Sequence, residues 1–373
     1  MCAAMSRTYA VAFAVAAALC GCKHEKAEQG TGTTGSAAQV EAPKLRPSQQ
    51  PLPQMPALTL PDDPKRADKV ELGHVLFFDK RLSGNDDRAC YSCHMNEDGN
   101  GGHDPIAIGS GDKKQTRHAP VIWNVAYFSP VTPDGKGAFY WDGRAPTLEA
   151  NATAAWGGGN MGAGKDNLDK KAAELAAIPG YKKLFEAAFP GTEIKAAQVV
   201  EAISDYERTL ICKDTGYDKF AAGDKTALTD QQQRGLDVFL GKGQCLICHA
   251  PPFFSTAMGI DNGVYFNVGI GTGVPDDQVD VGRMKVTSQP VDWAAFKPPS
   301  LRNVTRSPPY FHDGSVAKLE DAVKLMASGG INNKNKNPAL ADRHLSDAEL
   351  ADLIAFLGAL DCPGKLEEPK ALP

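Results

Sequence analysis

The chain has 373 residues, and at about 100–200 residues per domain this length predicts two domains with a sizeable core. Its 40 basic and 45 acidic residues leave a net charge of −5, which offers nucleic acid no electrostatic footprint and excludes it as a partner class. With 37 glycines and 26 prolines the chain is rich in turns but short of low-complexity disorder, a balance that suits a loop-rich body filled by a large cofactor.

Residues 1–22 carry Arg7, then an apolar run from Tyr9 to Leu19, then Leu19-Cys20-Gly21-Cys22. The run is too short to span a bilayer as a mature helix and has the layout of an export signal. Leu-x-Gly-Cys resembles a bacterial lipobox, which would leave Cys22 as the lipidated first residue; Cys20 is unusual there, and an ordinary cleaved signal is the alternative. Residues 23–62 have no apolar periodicity and read as a flexible tether holding the body off a membrane.

The body is expected to be mainly α. Asp63 to Phe78 reads as a helix with Val70, Leu72, Val75 and Leu76 as its apolar stripe. Further helical runs cover Ala172–Phe189 and Ala196–Ile211, with breaks near Pro179 and Pro190-Gly191. Leu228-Thr229-Asp230 caps a helix that runs through Phe239, and a last helix extends from His344 to Leu360. No run alternates long enough for a large sheet. The expected layout is residues 63–220 as one domain and 221–361 as a second, with 362–373 as a tail. Each half holds a helix, a Cys-x-x-Cys-His motif (Cys90 to His94 and Cys245 to His249), a Gly-rich loop and a closing helix, so both read as cytochrome c-like domains.

Four of the nine cysteines lie in Cys90-Tyr91-Ser92-Cys93-His94 and Cys245-Leu246-Ile247-Cys248-His249. Thiols at this spacing can each add to one haem vinyl while the following histidine reaches the iron, so the motifs predict two covalently attached c-type haems. Zinc ligation and a redox disulfide are the competing readings. Zinc needs paired motifs close enough to fold together, whereas these lie about 150 residues apart and each has its own histidine. Haem attachment outside the cytoplasm also agrees with the export signal. Cys212 and Cys362 are left over; a disulfide is compatible with an oxidising compartment, but spacing does not establish one.

With these motifs in place the chain resembles the bacterial di-haem cytochrome c peroxidases, whose relatives include di-haem enzymes that oxidise residues on a partner protein. The resemblance is carried by Glu71-Leu72-Gly73 to Leu82-Ser83, Tyr140-Trp141-Asp142-Gly143-Arg144 and Glu207-Arg208-Thr209-Leu210 in the first half. In the second half it is carried by Pro299-Ser300-Leu301-Arg302-Asn303-Val304 and Pro309-Tyr310-Phe311-His312-Asp313-Gly314-Ser315. It implies a periplasmic enzyme that reduces hydrogen peroxide at the first haem, with electrons from a small cytochrome c or copper protein entering at the second. Met326 stands where the family places the second iron's other ligand, and Trp141 where it keeps an electron relay between the haems. Each also has a plainer reading as a packed side chain. A homodimer and an interdomain calcium ion, with carbonyls near Ser307 and Pro309, are compatible with the resemblance.

The departures fall around the first haem. Ser110 occupies the position of the family's displaceable distal histidine, and a hydroxyl is a poor iron ligand, so the first iron is expected to be open. Asn160, before Met161-Gly162, and Asn151 stand where the family has a proton-moving glutamate and a glutamine. An amide positions peroxide but does not exchange its proton at neutral pH. His103 and His118 are the candidate replacements, with a surface or structural role as the alternative for each. The functions left in play are peroxide reduction, peroxide-driven oxidation of a partner's residue, and non-catalytic electron carriage.

Overall fold

The structure, a computed structural model, describes residues 45–129 and 135–373. The signal, Cys22 and the first part of the tether lie outside these residues. Ten α-helices are described: α1 (Arg66–Phe78), α2 (Leu148–Gly157), α3 (Leu168–Ala176), α4 (Pro179–Ala188), α5 (Ala196–Arg208), α6 (Gly216–Ala221), α7 (Asp230–Leu240), α8 (Met284–Thr287), α9 (Leu319–Ala327) and α10 (Asp347–Gly358). Extended structure among the described residues amounts to five isolated bridges. The mainly α class therefore holds.

Local chemistry sets the helix ends. Thr229 and Ser346 each accept from the backbone N–H three residues on, and Gln232 and Glu349 return the bond, which makes two complete capping boxes. Pro179 starts α4 and so divides the run expected from Ala172, because proline fits the first helical turn but not the interior. α2 was not anticipated; its sequence Leu-Glu-Ala-Asn-Ala-Thr-Ala-Ala-Trp-Gly lacks a clean apolar stripe, and it is held by a Thr147 cap and by packing against α5.

Two apolar cores follow the two halves. One joins α1, α3, α4 and α5 through Leu72, Leu76, Tyr181, Phe185, Val199 and Ile203; the other joins α6, α7 and α10 through Tyr217, Leu236, Phe239, Leu353 and Phe356. The helix pairs α1–α5 and α7–α10 meet at a glycine in the same way. A Cβ on Gly73 would run into the carbonyl of Ala202, and one on Gly235 into that of Asp352. A mid-helix glycine costs up to about 1 kcal/mol relative to alanine, so close helix approach is its compensation.

The halves repeat more closely than the sequence first suggests. Pro120-Val121-Ile122-Trp123-Asn124-Val125 matches Pro299-Ser300-Leu301-Arg302-Asn303-Val304, and Asn124 and Asn303 are both left-handed, at φ 61° and 64°. Each asparagine's side chain accepts from the backbone N–H of a cysteine, Cys212 and Cys362, and these two form a disulfide. The turn 139–145, closed by a Phe139–Ala145 bridge, matches 310–316, closed by a Tyr310–Val316 bridge. Tyr140 and Phe311 share left-handed backbone at φ 64° and 71°, and Gly143 and Gly314 at 67° and 59°. Each turn then leads into a helix in constant register: Leu148 opens α2 as Leu319 opens α9.

Two expectations need correction. Residues 45–62 are not a free tether: Ser48 is buried and bonds Asp237, the carbonyls of Pro53 and Pro56 accept from Tyr217 and Tyr127, and Leu52 packs on the second core. The C-terminal tail is likewise docked on the first half, with Leu366 buried beside Phe77 and Trp123 and the Pro373 carbonyl held by Arg81.

Candidate functional site

Each Cys-x-x-Cys-His segment forms a short 3₁₀ turn that opens onto a cavity. Cys90, Cys93 and His94 line the first, of about 260 Å³; Cys245, Cys248 and His249 line the second, of about 230 Å³. All four cysteines are free, and burial raises every thiol, Cys245 to about 12 and Cys248 to about 11, so they stand as neutral thiols. Nδ1 of His94 lies 3.2 Å from the Asn100 carbonyl, and Nδ1 of His249 lies 3.1 Å from the carbonyls of Phe254 and Pro299. A carbonyl only accepts, so Nδ1 carries the proton and Nε2 keeps its lone pair. Burial lowers both imidazoles, His94 to about 4, which keeps them neutral. Paired thiols beside a neutral imidazole of fixed tautomer fit a c-type haem at each site.

The two linings differ. Asn151 and Asn160 line the first cavity, together with Ala155, Tyr140 and Glu207. The second is lined by Met326 with Leu319, Val323, Leu345, Leu353 and Leu357. Trp141 lines both cavities, buried to 8 % exposure, and its Nε1 donates to the His118 carbonyl at 2.8 Å. Its ring stands 6.4 Å from that of His312, its counterpart in the repeat, and His312 stacks on Phe296. Lys297 also lines both cavities; it is buried, lies 3.3 Å over the Phe128 ring, and burial pushes its amine down to about 7 against the pull of Asp142.

The structure does not bring every candidate into the site. Ser110 is buried, but its hydroxyl donates to Asp87 at 2.6 Å and it is not among the cavity's lining residues. His103 points to solvent with 72 % of its side chain exposed, paired with Asp98 at 3.0 Å, so the structure gives it no access to the cavity. His118 does line the first cavity. Its Nδ1 bonds the Asp104 carbonyl and its ring rests on Gly102, in the loop following Asn100, which places it beside the proximal histidine's support.

Lys297 was not named from the sequence, and Glu207 was named only within the stretch Glu207-Arg208-Thr209-Leu210, with no role in the site. Glu207 falls on the apolar face of α5, four positions after Ile203, and a charged residue in such a stripe was a usable signal. Its Oε2 is buried without a hydrogen-bond partner, and burial pushes the carboxyl up to about 8.

The family model for di-haem cytochrome c peroxidases matches residues 67–226. The cytochrome-c peroxidase IdrP1 of Denitromonas iodatirespirans is 32% identical over 370 residues, covering 91% of this chain and 93% of its own. The methylamine utilization protein MauG of Methylorubrum extorquens is 32% identical, over 87% of this chain and 84% of its own. Among solved structures, a MauG-like protein associated with microbial copper homeostasis superposes with a TM-score of 0.71 at 29% identity, covering 86% of this chain and 95% of that one. The chain belongs to the di-haem cytochrome c peroxidase family and is a peroxidase-type oxidoreductase with two c-type haems.

Proposed function

We propose that the protein is a periplasmic di-haem peroxidase that reduces hydrogen peroxide to water at the first cavity, using electrons that a small cytochrome or copper protein delivers at the second. The observation that carries this reading is the difference between the cavities: amides and a carboxyl beside His94, a thioether in an apolar lining beside His249. Haem, when bound, supplies the redox chemistry at both sites. Around it, His94 and His249 present neutral Nε2 atoms, and the Asn151 and Asn160 amides hold peroxide through hydrogen bonds. Met326 offers a thioether that favours the reduced state of an electron-entry site. Trp141 fills the wall between the cavities with an aromatic ring. The export reading rests on residues 1–22 and on the extracytoplasmic chemistry of c-type haem attachment, and lipidation at Cys22 would tether the body to the envelope.

The test uses the purified holoprotein. It should consume peroxide with a reduced cytochrome c without prior reduction, and electron paramagnetic resonance of the oxidised protein should show high-spin iron at the first haem. No peroxide turnover would overturn the reading. Two low-spin haems would show that another side chain closes the first site, and His118→Ala and Met161→Leu would identify it, since both residues line that cavity. A second reading, peroxide-driven oxidation of a residue on a partner protein, is favoured by the likeness to MauG. Peroxide consumption that depends on a protein substrate rather than on a reduced donor would select it.

A further inference from the structure

The peroxide-side lining has an amide, Asn160, where the family's proton-moving glutamate is expected, yet O–O cleavage needs a group that takes and returns a proton. We propose that Glu207 exchanges protons with peroxide at the first cavity. The inference rests on the peroxidase reading. Glu207 is the one carboxyl among the described residues that line this cavity, which it shares with Asn151, Ala155 and Asn160. It sits at the end of α5, where α5 packs on α2, the helix that carries Asn151. Its Oε2 is buried and has no hydrogen-bond partner, although a buried carboxylate oxygen ordinarily has one. A small polar substrate held by the amides would supply the missing partner.

The surroundings set the charge balance at this carboxyl. Arg208, next in sequence, pairs with Glu149 of α2, and Glu149 is 38 % exposed. The charges facing Glu207 are therefore Arg208, which favours its ionised form, and Glu149, which opposes it. Tyr206 on α5, Tyr140 beneath the Arg144 guanidinium, and the Cys90 thiol, which thioether formation consumes, complete the surroundings. Burial dominates and leaves the carboxyl titrating near 8. In the balanced reaction one H₂O₂, two electrons from the reduced donor protein and two protons from solvent give two waters. Glu207 takes the proton from one peroxide oxygen and delivers it to the other, which departs as water; the oxygen left behind then takes the two electrons and the two solvent protons, passed through the same carboxyl, and leaves as the second water.

Glu207→Gln keeps the shape and removes the proton exchange. Its holoprotein should carry two haems with unchanged absorption spectra, yet react with peroxide on the order of 100-fold more slowly or worse. Wild-type rate should rise with pH and level near 8, because only the ionised carboxyl accepts a proton, while the Gln variant should be flat. Infrared spectra of the wild type should contain a protonated-carboxyl band that fades over the same pH range and is missing in the variant. Glu207→Asp should recover part of the rate. Glu149→Gln, a change at the surface, should move the plateau to lower pH, since one opposing charge is gone. A Gln variant as fast as wild type with the same pH profile overturns the inference, as does an unmoved plateau in Glu149→Gln. A wild type that consumes no peroxide overturns the peroxidase reading and this inference with it.

Discussion

The two halves of the molecule are built on one plan and differ at one helix position that decides what each haem site can do. The turn 139–145 and the turn 310–316 share a bridge, a left-handed aromatic and a left-handed glycine, and feed α2 and α9 in the same register. Counting on from Leu148 and Leu319, Met326 in the second half corresponds to Ala155 in the first, and each lines its own cavity. A thioether with three rotatable bonds reaches an iron; a methyl group does not. On the proposed reading the peroxide site is the same scaffold with the ligand position emptied, and Asn151 and Glu207 line the same cavity as Ala155.

The strongest way to break this comparison is to give the first half the residue of the second. Ala155→Met should place a thioether in the first cavity, convert its iron from high-spin to low-spin, and lower the rate of peroxide reaction at least about 100-fold, a loss of roughly 2.7 kcal/mol or more in transition-state stabilisation. Spectra that stay high-spin at full activity would show that α2 and α9 present their residues differently despite the shared register.

The converse change tests the second half, where the proposed function has electrons enter. Met326→His should lower the potential of the second haem by a substantial part of the roughly 0.8 V over which axial ligands set haem potentials, because imidazole supports ferric iron better than a thioether. Electron entry should slow while the first haem's spectrum stays unchanged. A redox titration identical to wild type would reduce Met326 to packing on the stripe it shares with Leu319 and Val323.

What could be read from the chain follows from where its signals are local. Haem attachment lies within five consecutive residues, and helices such as α5, α7 and α10 announce themselves by apolar period and caps. The Cys212–Cys362 disulfide was left open because its cysteines are 150 residues apart and are aligned by Asn124 and Asn303, a relation no spacing reveals. The extended stretch 45–62 looked like tether because its contacts are mostly carbonyls accepting from distant tyrosines, which leave no periodicity. Ungapped counting put Ser110 at the distal site, whereas the loop directs it to Asp87. The counterpart of Met326 was found only after the matched turns fixed the register between the halves.

The smallest expected effect concerns the wall the halves share. Lys297 is a buried amine bordering both cavities, with a ring face at 3.3 Å and no hydrogen bond from its amine among the described residues. Burial alone drives the amine toward neutrality, and Asp142 only partly resists. An acidic group brought into either cavity, such as a haem propionate, would supply the missing counter-charge and hold the lysine protonated. A cation next to a redox centre stabilises the added electron, so Lys297→Met, which keeps the apolar stem, should lower the potentials on both sides. A unit charge about 10 Å away in an effective dielectric of about 25 amounts to on the order of 50 mV. A titration in which both potentials fall together places the charge in the common wall. A shift at one haem alone assigns the lysine to that half, and the wall then couples the sites through Trp141 without a shared charge.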